Sequence, residues 1–251
     1  MRQASLLLVL AVAVAFGGCP WFARVLPERA LPPGRAAYLE DCAFCHGTRG
    51  WGDGEAAARL PVPPADFSSG YFKLRSTPSG ELPTDDDLLA TITRGIGGSG
   101  MPSFRHLPRE TRQALVVEVK RLARPRDGGE SHFANRPPKR IVEVPPRPPL
   151  RVEMLAKGRK LYVDLGCPAC HGPEGRGDGS AAAELVDHAK RPLPPTDFTL
   201  GVYLGGADPR GLYLRIATGL NGTPMPEYGD DLMSADERWA LVEYLLSLAG
   251  R

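Results

Sequence analysis

Residues 42–46 read Cys-Ala-Phe-Cys-His, and residues 167–171 read Cys-Pro-Ala-Cys-His. Each stretch sits inside a longer passage that the other half repeats in the same order. Gly34-Arg35-x-x-Tyr38 returns as Gly158-Arg159-x-x-Tyr162, Gly52-Asp53-Gly54 as Gly177-Asp178-Gly179, and Pro63-Pro64-Ala65-Asp66-Phe67 as Pro194-Pro195-Thr196-Asp197-Phe198. Further on, Ile92-Thr93-Arg94-Gly95 returns as Ile216-Ala217-Thr218-Gly219, and Met101-Pro102 as Met225-Pro226. Arg112-Gln113-Ala114-Leu115-Val116 then returns as Arg238-Trp239-Ala240-Leu241-Val242. The offset stays near 125 residues, apart from a short insertion before the second Pro-Pro-x-Asp-Phe element that is later cancelled. Matched elements in one order and at one period mark a duplication, two copies of a small domain.

The duplication divides the 251 residues. One copy is expected over 31–124 and the other over 152–251. Residues 125–151 between them are rich in proline and charge and lack apolar periodicity, which reads as a semi-rigid, solvated linker that spaces the domains. Ahead of the first copy, Arg2, the apolar run from Leu6 to Phe16 and Gly17-Gly18-Cys19 read as a signal peptide over 1–18 followed by a tether over 19–30. Small residues before Cys19 resemble the processing site of bacterial lipoproteins, which implies lipidation of that cysteine, although Phe16 departs from the usual aliphatic residue. Residues 3–23 carry no charge and are long enough for a retained membrane helix, and simple secretion is the third reading. All three place the body of the protein outside the cytoplasm, in a bacterial periplasm or on the outer side of the membrane.

A formal net charge of +2, with no basic cluster interleaved with aromatics, excludes a nucleic-acid reading. Helical signals dominate. A short helix should lead into each Cys motif, a middle helix should start near Asp85 and Asp208 and end near Gly95 and Gly219, and a last helix should cover about 109–123 and 235–249. No alternating stretch argues for a sheet, so the expected fold is all-α.

Cys-x-x-Cys-His is the attachment signature of c-type haem. Thiols three residues apart on a helical turn can each bond one vinyl-derived carbon of the same porphyrin, and the next residue presents its imidazole to the iron. Cys42, Cys45, Cys167 and Cys170 are thus read as covalent haem attachments, and His46 and His171 as axial ligands. A shared zinc site is a poor alternative, because the two Cys pairs are far apart in sequence and each has its own histidine. A thioredoxin-like dithiol would need a βαβ setting. For the opposite axial position, Met101 and Met225 alone share a matched setting among the five methionines, each preceded by a Gly-rich or Gly-Thr-Pro segment and followed by proline. His106 for the first site, and His188 or Met233 for the second, are the alternatives. Gly95-x-Gly97-Gly98-x-Gly100 imitates a dinucleotide fingerprint, yet no strand precedes it, so it reads as a ligand loop. Asp53 and Asp178 between glycines read as turns.

Each half resembles a class I, mitochondrial-type cytochrome c domain, on the strength of the Cys motif, the later methionine and the terminal helices. The resemblance implies that Gly34/Tyr38 and Gly158/Tyr162 pack on the C-terminal helices, near Val117 and residues 239–244. It also implies that a proline carbonyl from the middle loop (Pro61, Pro63 or Pro64; Pro192, Pro194 or Pro195) accepts a hydrogen bond from each proximal histidine. The implied function is that of a dihaem cytochrome, two covalent haem c groups carrying single electrons between a redox donor and acceptor such as a quinol-oxidising complex and a terminal oxidase or reductase. A lipid or helix at the N-terminus would hold it to the membrane. Two rival readings stay open: a dihaem oxidoreductase of the peroxidase kind, and a haem subunit of a larger respiratory complex.

Overall fold

The structure, a computed structural model, describes residues 31–250. The leader, the tether and Cys19 lie outside the described residues. Eight α-helices and no strands occur among the described residues, so the fold is all-α. None of these helices is long and apolar enough to cross a membrane.

The first half holds α1 (Pro33–Asp41), α2 (Ala43–His46), α3 (Asp85–Arg94) and α4 (Arg109–Leu122). Pro33 suits the first turn of α1, where its missing N–H costs nothing. Gly34, Ala37 and Tyr38 then fall on one buried face. Thr84 caps α3 in a reciprocal box with Asp87, and Asp85, Asp86 and Asp87 oppose the positive end of the helix dipole. The second half repeats the set as α5 (Val152–Asp164), α6 (Pro168–His171), α7 (Pro209–Thr218) and α8 (Ala235–Leu246). Asp208 caps α7, and Ser234 with Glu237 forms the capping box of α8.

In each half the first helix crosses the last, α1 on α4 and α5 on α8. The crossing point is a glycine because nothing larger fits. A Cβ on Gly34 would lie 2.2 Å from the Ala114 carbonyl oxygen, and one on Gly158 would lie 2.1 Å from that of Ala240. The contact on α4 is therefore Ala114, while the Val117 side chain faces solvent. The packing that the resemblance placed near Val117 is thus on the expected helix, made by Ala114 and Glu118 rather than by the Val117 side chain.

Residues 124–150 contain no helix or strand, but they are not solvated throughout. Arg126 pairs with Asp66 and His132 Nε2 reaches the Ser68 carbonyl, both in the first half. Val142 then buries its side chain in the second core, and Arg147 forms two hydrogen bonds with buried Glu243 on α8. The halves also bind each other directly. Buried Arg75 donates to the carbonyls of Thr218 and Gly219, Gly80 N–H donates to Asn221 Oδ1, and Gly205 N–H donates to Gly97 O. The halves are thus joined both through the proline-rich stretch and by direct contacts of their own.

Candidate haem sites

Each Cys motif is a single helical turn closed by its own backbone. His46 N–H donates to Cys42 O at 2.9 Å, as His171 N–H does to Cys167 O. The turn sets the two cysteines of each motif three residues apart on one face with the histidine next to them. It stops at Gly47 and Gly172, whose φ angles are 76° and 78°. A Cβ there would meet Asp53 Oδ1 at 2.0 Å and Asp178 Oδ1 at 1.9 Å.

The Gly-Asp-Gly segments explain that closeness. Gly52 N–H donates to His46 O at 2.9 Å and Gly54 N–H to Cys45 O at 3.1 Å, and Gly177 and Gly179 do the same for His171 and Cys170. These segments are turns, as their sequence suggests, and they supply the donors that the carbonyls at the end of each Cys turn need. Tyr38 Oη donates to Gly47 O at 2.7 Å and Tyr162 Oη to Gly172 O at 2.6 Å. Burial, the main cause, raises both phenols well above their ordinary range, so they remain donors at any physiological pH.

His46 Nδ1 lies 3.2 Å from Ala65 O, and His171 Nδ1 lies 3.2 Å from Thr196 O. The acceptor is therefore not a proline carbonyl but that of the residue after each Pro-Pro pair. The carbonyl of the second proline lies instead against the Gly-Asp-Gly turn, where a Cβ on Gly52 would stand 2.7 Å from Pro64 O and one on Gly177 2.7 Å from Pro195 O. Burial also lowers the imidazole pKa of both histidines, against the opposing pull of these hydrogen bonds. A neutral ring that donates from Nδ1 keeps the Nε2 lone pair available. Phe67 stacks on His46 at 4.9 Å between centroids, and Phe198 stacks on His171 at 4.5 Å. The role of these two phenylalanines was missed in the sequence, although the repeated Pro-Pro-x-Asp-Phe element carried the signal.

The methionine loops match in the same way. Ile96 N–H donates to Met101 O at 3.1 Å, and Leu220 N–H donates to Met225 O at 3.2 Å. Gly95 and Gly219 open these loops at positive φ, where a Cβ would come within 2.4 Å of Pro102 O and 2.6 Å of the Pro226 carbonyl carbon. The Gly-rich segment after Gly95 follows a helix rather than a strand, which fits the loop reading and not a nucleotide site.

In the first half, Cys42, Cys45, His46 and Met101 line one cavity of about 480 Å³ with Phe67, Phe72, Leu88 and Ile92 among its apolar walls. That volume lies within the roughly 300–1,000 Å³ of small-molecule and cofactor sites. An imidazole, a thioether and two thiols facing one mainly apolar cavity are the groups a c-type haem needs, so the residues fit it. Burial pushes the Cys42 thiol up to about 12 and the Cys167 thiol up to about 11. The alternative ligands take different places. His106 is exposed beside Phe104, Met233 is buried in the second core, and His188 lines the first cavity rather than serving the second half.

Comparison with known proteins agrees with this geometry. The family model described as "Cytochrome c" matches residues 155–249, and that described as "Cytochrome C oxidase, cbb3-type, subunit III" matches residues 29–117. A search of curated proteins gives no match. Among solved structures, a chain of the Kuenenia stuttgartiensis reducing HAO-like protein complex superposes with a TM-score of 0.80 at 39% identity, covering 89% of this chain and 98% of that one. Duplicated Cys-x-x-Cys-His turns, matched helices and two family matches in series lead to one conclusion: the chain belongs to the tandem c-type cytochromes, haem proteins of electron transfer.

Proposed function

We propose that the chain holds two covalent haem c groups, through Cys42 and Cys45 in the first half and Cys167 and Cys170 in the second, and passes single electrons between redox proteins. The observation that carries this reading is the point-for-point repetition of both sites, from the Cys turn and its Gly-Asp-Gly cap to the methionine loop. Haem iron supplies a one-electron couple, which His/Met ligation raises. His46 and His171 would each offer an imidazole to the iron, oriented by its carbonyl bond and stacked phenylalanine. Met101 and Met225 would each offer a thioether as the second ligand, which would leave neither iron an open position for substrate. That arrangement favours a carrier over a peroxidase.

The solved relative is by its title part of a reducing HAO-like complex. We infer on that ground that this chain works as the electron-transfer subunit of a partner oxidoreductase. The leader and the Cys19 site support a place outside the cytoplasmic membrane with a lipid anchor, and mass analysis of the mature N-terminus would read the modification directly.

The test is a redox-titrated optical spectrum of the holoprotein with a haem count. Two haems per chain, two one-electron steps and a far-red methionine–ferric band accounting for both haems are the expected result. A band worth one haem, or a high-spin iron that binds cyanide quickly, would refute the carrier reading.

A further inference from the structure

The first cavity is closed by residues of the second half. His188, Arg191, Leu204 and Asn221 line it beside Tyr71 and Lys73. His188 and Arg191 belong to the short insertion that breaks the otherwise regular offset between the copies. The insertion is a tight turn bridged between Val186 and Pro192, and His188 N–H ties it to Gly222 O at 2.9 Å. Tyr71 packs against His188 at 4.6 Å between ring centroids.

The charged groups in this lining are Asp41, Asp66, Lys73 and Arg191, and their commitments differ. Asp66 has both carboxylate oxygens engaged, Oδ1 by Ser68 and Oδ2 by Arg126. Arg191 gives Nε and Nη2 to buried Asp187, both at 2.7 Å, leaving Nη1 uncommitted among the described residues. Asp187 is itself held by the backbone N–H groups of Ala189 and Arg191, so the guanidinium is fixed in place. Lys73 is half-buried and makes no ion pair among the described residues. Burial is the main cause that lowers its pKa, with Asp187 opposing and Arg191 adding to the fall. Lys73 and Arg191 thus place two cations on the cavity wall near the 186–192 turn, away from Asp41, which lines it next to Cys42; the other walls are mainly apolar. Such a setting suits a ligand that is largely apolar and carries carboxylates, because a buried carboxylate needs a cation. Haem has that chemistry.

We propose that Lys73 and Arg191 form a cross-domain clasp for the propionates of the haem in the first half. The clasp rests on the haem reading given above. It makes the first site incomplete without the second half and gives the insertion its purpose. The first half has no matching insertion, so the second haem receives no such clasp and the two sites are unequal.

The experiment uses the full-length holoprotein, with haem content measured first. Arg191→Gln, Lys73→Gln and the double variant are titrated potentiometrically, and the first haem's step is identified as the one that Met101→His lowers. Removing a cation beside the haem favours the ferric state. Each single substitution should shift the ferric/ferrous ratio of the first haem by about tenfold, the order expected for charges roughly 10 Å apart at an effective dielectric of about 20. Tenfold is about 59 mV downward for a one-electron couple. The second step should stay in place, and Arg191→Lys should restore most of the shift and so separate lost charge from misfolding. Two haems with both steps unmoved in the double variant would overturn the clasp and leave the haem reading intact. Fewer than two haems in the unsubstituted chain would sink the haem reading itself, and the clasp with it.

Discussion

Gly158→Ala puts two physical arguments in direct opposition. Gly158 lies within α5, where helix propensity alone predicts a gain of about 1 kcal/mol on adding a methyl group. The crossing with α8 predicts the reverse. The new Cβ would stand 2.1 Å from Ala240 O and 2.7 Å from Tyr244 Cβ, well inside the roughly 3.5–4.0 Å of a favourable contact. Both neighbours are backbone or Cβ atoms of a packed helix, so no rotamer change relieves the overlap and the helices must move apart. Overpacking of that kind costs about 1–3 kcal/mol and occasionally more. An unyielding site belongs at the upper end. The net expectation is a loss of about 2 kcal/mol, which for a domain of this size lowers the melting midpoint by roughly 8–16 °C. Thermal and guanidinium unfolding of the holoprotein, followed by far-UV circular dichroism and the Soret band, would measure it. Gly34→Ala meets Ala114 O at 2.2 Å and should behave alike. Unchanged or increased stability in Gly158→Ala would show that α5 and α8 do not cross at this point, and the account of the domain core would fail with it.

Three further outcomes follow from single contacts. Tyr162→Phe removes one of two donors to Gly172 O, which keeps the Gly175 N–H at 3.2 Å, and should cost about 0.5–1.5 kcal/mol, the net worth of one hydrogen bond, read as a lower denaturation midpoint without loss of haem. Arg75→Gln cuts the clamp on the Thr218 and Gly219 carbonyls, where the Met225 loop begins. It should weaken the methionine–ferric band of the second haem and spare that of the first; equal loss at both haems would count against the clamp. Arg147→Ala leaves Glu243, only 3% exposed, without its cation. Because Arg147 is itself half exposed, the loss should sit near the lower end of the roughly 3–5 kcal/mol of a broken buried pair, and a circular dichroism melt would register it.

Much of this was legible in the sequence, because the chemistry is local. A Cys-x-x-Cys-His turn needs nothing beyond its own backbone to present its three side chains, and the middle and last helices begin within a residue of their expected starts. Glycine at 95 and 219 announces the methionine loops, since only glycine takes the required turn without strain. What stayed hidden depends on residues far apart in the chain. The carbonyl that meets His46 shifted by one residue because loop geometry, not composition, decides which oxygen comes within reach. Arg75 and Asn221 looked like ordinary polar residues, and only the docking of the halves gives them partners. The proline-rich stretch looked solvated because it lacks periodicity, yet Val142 finds its burial, and Arg147 its buried partner Glu243, in the second half.

The duplication itself separates these two kinds of residue. Most of what both copies retain belongs to the candidate haem sites (the tyrosine, the Cys turn, the Gly-Asp-Gly cap, the stacking phenylalanine and the methionine loop), while the paired glycines at 34 and 158 serve the helix crossing. The interface is built largely from what the copies do not share. Arg75 has no counterpart that reaches back, and the 186–192 turn exists only in the second half. Both methionine loops take part in that interface, the first through Gly97 and the second through the segment from Thr218 to Asn221. A change at the interface therefore acts on the ligand loop of each site without touching either Cys turn. Difference between the two haems should then arise on the methionine side and at the propionates, while the histidine sides, which are matched bond for bond, stay alike.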